Sequence, residues 1–446
     1  MNARVARSVA ELLTSPRVRD ARRRLGALSR RVRGGGAVVH YFHQVDDPYS
    51  QLMLQVLPRL AARYEVRLVP HLVEQPSAAA APDRERLQPW SRRDAAVLAA
   101  ACGLAFVDPG AEPEAGLVAL ASRALAQVND DGSSPESVLA AMGEIGRSLW
   151  SDDPSTLATF PLASAARTDA VIAAGTALRR KWGHYLGAML YFEGEWYWGI
   201  DRLWHLEQRL RAAGLWRGGD AGWIVEMPQV GCRHRPGRAH APELHFFCSL
   251  RSPYTYLAVA RVLRLARHYG ASLRLRFVLP MVMRGLPVPR AKRLYILRDA
   301  KREAEALGLP FGRIVDPVGA PTERGLAVLH RACEAGRGEQ FLESFMRGVW
   351  AEGLDAGSDA GLQRIAMRAG LEDAFVRAAL ADPAWRGVAQ ANREEMLALG
   401  LWGVPSFRVD AGPARWGQDR LWQVERDLIV ATAATPAVIA GENGRT

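Results

Sequence analysis

The stretch RWGQDRLWQVERDL at 415–428 repeats YWGIDRLWHLEQRL at 197–210. Two further pairs precede it in the same order. LRDAKREAEALGLPF at 297–311 follows RRDAAVLAAACGLAF at 92–106, keeping Asp94 with Asp299, Gly103 with Gly308 and Phe106 with Phe311. RSPYTYLA at 251–258 follows DDPYSQLM at 46–53, with Pro48 and Pro253 standing 205 residues apart. The pair at 197 and 415 is offset by 218, which marks an insertion between it and the two earlier anchors of the second copy. Three ordered anchors constrain the chain more than any composition does. It reads as one unit written twice, each copy long enough for its own core.

Each copy shows the same order of patterns. A short apolar run, AVVHYFHQV or ELHFFCSL, reads as a strand. A helix follows from the next proline; in PYTYLAVARVLRLARHYG its apolar positions recur at helical spacing up to Gly270. A second strand, EVRLVPHLV or SLRLRFVLP, implies a right-handed parallel crossover. Alanine- and leucine-rich helical sequence comes next. Two short strands, in GAMLYFEGEWYWG or VPSFRVDAGPARWG, and a helix from DRLW close the unit. The boundaries expected are a basic arm at 1–35, a first domain at 36–211, a linker at 212–242, a second domain at 243–432 and a frayed tail at 433–446. The linker is expected because RGGDAGW and CRHRPGRAHAPE are rich in glycine, proline and charge and carry no period.

The motifs FFCSLRSPYTYLA, RAKRLYILRDAKREAEALGLPF, LWGVPSF and RWGQDRL lie in that order in the second copy. Over about 243–430 it resembles the 2-hydroxychromene-2-carboxylate isomerase and kappa-class glutathione transferase group of the DsbA-like thioredoxin superfamily. The first copy resembles the same group more faintly over about 37–210. The resemblance implies an α/β fold: two tandem thioredoxin-like domains, each with a helical insertion. It also implies glutathione in a cleft. Carried onto this chain, the family's sulfur-contacting serine is Ser252. Val404 before a cis Pro405 pairs with the tripeptide backbone, and Gln418 with Asp419 holds the γ-glutamyl end. Lys292 matches a family lysine near the site. The family has an apolar residue where this chain has Arg251.

The residues themselves are compatible with two readings. Ser followed by Pro is a good helix start whatever its function, because Ser caps and Pro needs no N–H there. The same helix start carries a partial positive charge and free donors that lower the pKa of a thiol placed against it. In the first copy Asp47 takes the place of Ser252. It caps equally well, but a carboxylate beside a thiolate is a like-charge pair and opposes that chemistry. Aligned on the WG, Gly187 stands where Pro405 would fall and Ile200 replaces Gln418, while Asp201 matches Asp419. Asp201 and Asp419 read equally as helix caps, and Lys292 as a solvated surface lysine. Cys248, His43 and His184 read as structural. Trp402 and Trp416 suit either core packing or an apolar acceptor pocket.

Ser252 and Thr255 occupy the places of a C-x-x-C pair, and none of the four cysteines forms one. A dithiol centre and structural disulfides are therefore not expected, nor is a zinc site, and the compartment expected is the cytoplasm. No apolar run is long enough to span a membrane. Eight of the eleven net positive charges fall within the first 35 residues. That arm is read as a solvated, partly helical tail ending at GGG, with nucleic acid or an anionic membrane as the alternative partner. The function expected is that of a glutathione-dependent isomerase or transferase acting on an electrophilic aromatic small molecule, without a metal. The protein is expected to be a monomer with an internal pseudo-dimer. The alternatives are a thiol-disulfide oxidoreductase relative and a non-catalytic binding protein.

Overall fold

Proline-started helices and apolar strands alternate along the chain, and each copy closes its own four-stranded sheet. The structure, a computed structural model, describes residues 3–32, 34–128, 134–234 and 241–433. The elements in chain order are α1 (Ala3–Thr14), α2 (Pro16–Val32), β1 (Ala37–His43), α3 (Pro48–Arg63), β2 (Val66–Leu72), α4 (Arg84–Cys102), α5 (Ala115–Val128), α6 (Pro135–Trp150), α7 (Pro154–Leu157), α8 (Ala165–Lys181), β3 (Met189–Phe192), β4 (Glu195–Trp198) and α9 (Leu203–Ala212). The second series is β5 (Glu243–Cys248), α10 (Pro253–Tyr269), β6 (Ser272–Phe277), α11 (Arg290–Ala306), α12 (Ala320–Glu334), α13 (Gly338–Arg347), α14 (Asp359–Arg368), α15 (Asp373–Ala381), α16 (Trp385–Ala398), β7 (Ser406–Val409), β8 (Arg415–Trp416) and α17 (Leu421–Ala433).

The two sheets have the orders β2-β1-β3-β4 and β6-β5-β7-β8. In each, the first two strands are parallel and the last two antiparallel, with registers such as Val39 opposite Leu68 and Phe246 opposite Leu275. This is the mixed α/β, thioredoxin-like order with helices inserted before the closing hairpin.

Two compact units emerge. The first is Pro16–Pro228 with Pro287–Tyr295; the second is Met1–Ser15, Gln229–Leu286 and Ile296–Thr446. Each has its own core. In the first, Leu52, Val56, Leu57 and Leu60 of α3 are buried with Tyr41 and Leu68. In the second, Leu257, Val262 and Leu265 of α10 are buried with Phe246 and Phe407.

Polar locks recur at matching places in both units. Tyr49 Oη donates to Asp94 at 2.8 Å in the first, and Tyr254 Oη donates to Asp299 at 2.8 Å in the second. At the far end of the first helix, Tyr64 donates to Glu207 at 3.0 Å and Tyr269 donates to Glu425 at 3.0 Å. All four carboxylates are buried. The sequence comparison pairs Asp94 with Asp299 but did not single out either glutamate.

Two expectations need correction. The stretch expected as a free linker is tied down at both ends. Ile224 and Val225 are buried in the first unit, and the Ile224 N–H donates to Glu207 at 3.0 Å. The Gly231 and Cys232 N–H groups donate to Glu425 at 2.8 and 2.5 Å in the second unit. Buried carboxylates supply acceptors that glycine- and proline-rich sequence does not advertise. The arm, expected as a solvated and partly helical tail, does form helices, α1 and α2, but they are tied down by ion pairs. Within the second unit Glu11 of α1 meets Arg313 at 3.5 Å. Within the first, Arg23 of α2 makes a paired contact with Glu195 at 2.5 and 2.7 Å, and Arg30 bonds Glu193. The expected frayed tail falls, from residue 434 on, outside the described residues. No helix among the described residues is long and apolar enough to cross a membrane.

Replacing Glu425 by leucine would strand three donors, the Tyr269 hydroxyl and two backbone N–H groups. We expect Glu425→Leu to cost about 3 kcal/mol, read as a lowered urea midpoint, and Glu425→Gln to cost less than half of that.

Candidate functional site

The start of α10 sets the site. Ser252 takes extended backbone angles and its Oγ accepts the Thr255 N–H at 3.2 Å, while Pro253 fills the first helical position. The helix is thus capped by the residue that the resemblance assigns to sulfur. The hydroxyl is half-buried and also faces the Val404 carbonyl, with an Oγ–O distance of 3.5 Å. The Val404–Pro405 bond is cis. Val404 is half-buried and, among the described residues, its N–H makes no hydrogen bond. An extended peptide can therefore pair with it. Gly403 before it cannot carry a side chain, since a Cβ would sit 2.2 Å from the Trp416 ring. Trp402 is buried and meets Trp416 edge to face at 5.3 Å. Both tryptophans therefore belong to the wall under the cis proline.

The Pro405 carbonyl accepts the Gly417 N–H at 2.9 Å, which ties the turn carrying Gln418 and Asp419 to the same place. These two residues lie in a 3-10 turn, Gln418–Arg420, whose leading residue Gly417 makes no side-chain cap. The matching turn in the first unit, Ile200–Arg202, is likewise uncapped by a side chain.

Gln418 is only 2% exposed, and its amide is fully engaged. Its Oε1 accepts from Arg261 at 2.6 Å; its Nε2 donates to Glu303 at 2.9 Å and to the Asp419 carboxylate. Gln418 thus presents no amide to a ligand; it holds Asp419, which stays half-buried. Sequence reading missed Arg261 and Glu303. Glu303 lies four residues after Asp299, on the same face of α11, and Arg261 interrupts an apolar helix face. At the corresponding positions the first unit has Val56, Leu98 and Ile200, which are 0%, 0% and 2% exposed. A polar trio in one unit is an apolar trio in the other, a signal visible only when the copies are aligned position by position.

Lys292 is anchored by its own surroundings. Its segment belongs to the first unit, where its Nζ donates to the Ala80 carbonyl at 2.7 Å, and burial pushes its pKa down to about 8. Arg251 makes a paired contact with Asp316 at 2.7 and 2.8 Å, so its charge is spent there. Thr255, in the second cysteine place, is fully buried. Cys248 is buried and its thiol is pushed far up by burial. Among the described residues, no three His, Cys, Asp or Glu side chains group as metal ligands.

The equivalent place in the first unit is closed. Asp47 accepts from the Tyr49 and Ser50 N–H groups at 3.3 and 3.1 Å and from the Ser50 hydroxyl at 2.8 Å. Gly187 presses so closely that a Cβ would lie 2.5 Å from Gln44 Cβ and 3.3 Å from the Asp47 carboxylate. A proline has no room there. His43 is buried and neutral, its pKa lowered to about 3 by burial, with the Tyr41 hydroxyl 3.0 Å from Nδ1. His184 is buried against Tyr185, Trp196 and Tyr295.

A family model for the DsbA-like thioredoxin domain matches residues 243–428, and that part of the chain is such a domain. The search of curated proteins finds no match. Solved structures similar to the chain include a probable DsbA oxidoreductase from Streptomyces coelicolor, 24% identical over 42% of this chain and 89% of that one, with a TM-score of 0.34. A 2-hydroxychromene-2-carboxylate isomerase is 20% identical over 42% of this chain and 93% of that one, at 0.36. The cytosolic disulfide reductase DsbM from Pseudomonas aeruginosa, solved with GSH, is 22% identical over 42% and 97%, at 0.31.

Burial raises the Asp47 carboxyl from the ordinary value of 3.8 to about 7. The folded state therefore favours the protonated form, and that preference stabilises the fold at low pH and fades as pH rises through about 7. The thermal midpoint of the wild type, taken relative to that of Asp47→Ser, is expected to fall as pH rises from about 4 to about 7 and to level off above that. A pH-independent difference would contradict this.

Proposed function

We propose that the unit carrying Ser252 is a glutathione-dependent isomerase or transferase acting on an electrophilic aromatic small molecule. The observation that supports it most is the Ser252 hydroxyl at a helix start, facing Val404, whose N–H is unengaged beside a cis proline, with no thiol at either active-site place. Glutathione would supply a thiolate nucleophile.

The chain's own residues do the rest. The first turn of α10 offers N–H donors and a partial positive charge to a sulfur anion. Ser252 adds a hydroxyl donor without adding charge, and among the described residues no histidine hydrogen-bonds it to make it a nucleophile. Val404 would pair with the tripeptide through its N–H and C=O. Asp419, oriented by Gln418, would meet the γ-glutamyl ammonium. Gln418, Arg261 and Glu303 act in this reading as positioning residues. Isomerisation and transfer need the same stabilised thiolate, so the two share one site. A reducing cytoplasm, where glutathione is held as the thiol, fits this reading. We also infer that the two units descend from one duplicated ancestor, since the sheet order and both Tyr–carboxylate locks recur.

Calorimetry with reduced glutathione tests the reading directly. The wild type is expected to bind at millimolar concentration or below, and Asp419→Ala to weaken binding roughly tenfold, about 1.4 kcal/mol. Ser252→Ala is expected to retain binding while raising the pKa of the bound thiol, followed by ultraviolet thiolate absorbance. Absence of heat with the wild type at millimolar glutathione would overturn the proposal.

A second experiment isolates the positioning trio. Giving the second unit the first unit's residues, by Arg261→Val, Glu303→Leu and Gln418→Ile together, removes a buried polar network, and such exchanges are often neutral or stabilising. The variant is expected to match the wild type in thermal midpoint and to lose glutathione affinity as Asp419→Ala does. Wild-type affinity in a folded triple variant would remove the trio from the mechanism.

A further inference from the structure

Helix α2 is attached the wrong way round for an ordinary surface helix. Its inward face is charged: Arg23 pairs with Glu195, Arg30 with Glu193, and Gly26 lies against Glu193 so closely that a Cβ would be 3.3 Å from the carboxylate. The acceptors are fixed by the β3–β4 turn, where Glu193 and Gly194 both have positive φ, and Arg209 of α9 also holds Glu193 at 2.8 Å. None of α2 is fully buried. Its apolar residues point the other way. Leu25, Leu28 and Val32 are 66%, 57% and 78% exposed, and with Ala21 they follow the spacing of a single helical stripe. Arg17, Arg24 and Arg31, seven residues apart, run along one side of that stripe, and Arg22 lies on the other; all four are exposed.

A soluble helix normally buries its apolar stripe and exposes its charges. Here two acids hold the basic side down and leave leucines flanked by free arginines. We infer that the outward face of α2 docks on an anionic lipid surface, lying in the plane of the headgroups. The leucines and Val32 would enter the acyl boundary, and Arg17, Arg22, Arg24 and Arg31 would meet lipid phosphates. A nucleic acid would satisfy the arginines but leave the apolar stripe in water, so the juxtaposition favours lipid. This inference is independent of the glutathione site.

The test uses the full chain and flotation with vesicles of phosphatidylcholine alone or mixed with phosphatidylglycerol. The wild type is expected to float with the anionic vesicles only, and less so as salt is raised. Leu25→Ser with Leu28→Ser should reduce that partition by roughly tenfold or more, with an unchanged urea midpoint because both side chains face solvent. Arg24→Gln with Arg31→Gln should reduce it too and flatten the salt dependence. Failure of the wild type to bind anionic vesicles, binding that ignores the leucine substitutions, or retention of duplex DNA without vesicle binding would each overturn the inference.

Discussion

At the start of α10 one hydroxyl serves two neighbours. Ser252 Oγ accepts the Thr255 N–H at 3.2 Å and lies 3.5 Å from the Val404 carbonyl. The first contact ends the loop after the central strand and starts the helix that buries Leu257, Val262 and Leu265 in that unit's core. The second brings the helix start against the segment before the cis proline, from opposite ends of the domain sequence. The cap is worth only about 1 kcal/mol to the fold. Its larger consequence is positional: the donors of the first helical turn, the hydroxyl and an unengaged backbone N–H converge on one half-buried place. Asp47 satisfies the capping demand as well, accepting two N–H groups and a hydroxyl, yet it fills its own cleft with a carboxyl. The same local physics therefore permits a site and its closure.

The comparison of the two units separates what folding needs from what the site needs. Both keep the Tyr–Asp and Tyr–Glu locks at 2.8 and 3.0 Å. Only one keeps Arg261, Glu303 and Gln418; the other packs Val56, Leu98 and Ile200 in their stead. A buried charged pair with an amide between is an expensive way to fill space, because desolvation offsets most of the attraction. The apolar solution shows that the fold does not require it. Burial lowers the Arg261 pKa, which is the sign of that desolvation, while Asp419 and Glu303 oppose it. The polar network is then best understood through what it ends on, the carboxylate of Asp419.

Much of this was legible in the sequence for a plain reason. Strands and capped helices announce themselves through local pattern: the apolar run before Ser252, the Ser-Pro start, the glycine at 270 and the paired closing strands all act within a few residues. What escaped the sequence acts over distance. Gln418 reads as a ligand-binding amide, but Arg261 and Glu303, 157 and 115 residues away, claim both ends of it. Lys292 sits in a motif of the second copy and yet packs with the first unit. The glycine-rich stretch after α9 looks free until Glu207 and Glu425 supply acceptors for its N–H groups. The arm was misread for the same reason, since its partners Glu193 and Glu195 lie more than 160 residues on.

The first unit keeps every contact its stability needs while its cleft is closed. In the first unit the substitutions that close the cleft are cheap ones. Asp for Ser preserves the cap, Gly for Pro makes room for Gln44, and Ile for Gln removes a polar group together with its two partners. None of them disturbs the sheet register or the tyrosine locks. The acids of the β3–β4 hairpin hold α2 by its arginines. The corresponding hairpin of the second unit places Arg415 at its end, paired with Asp427 at 2.8 and 2.9 Å. An arginine paired within its own unit offers no anchor for a basic helix, so α2 is held by the copy whose hairpin carries two acids.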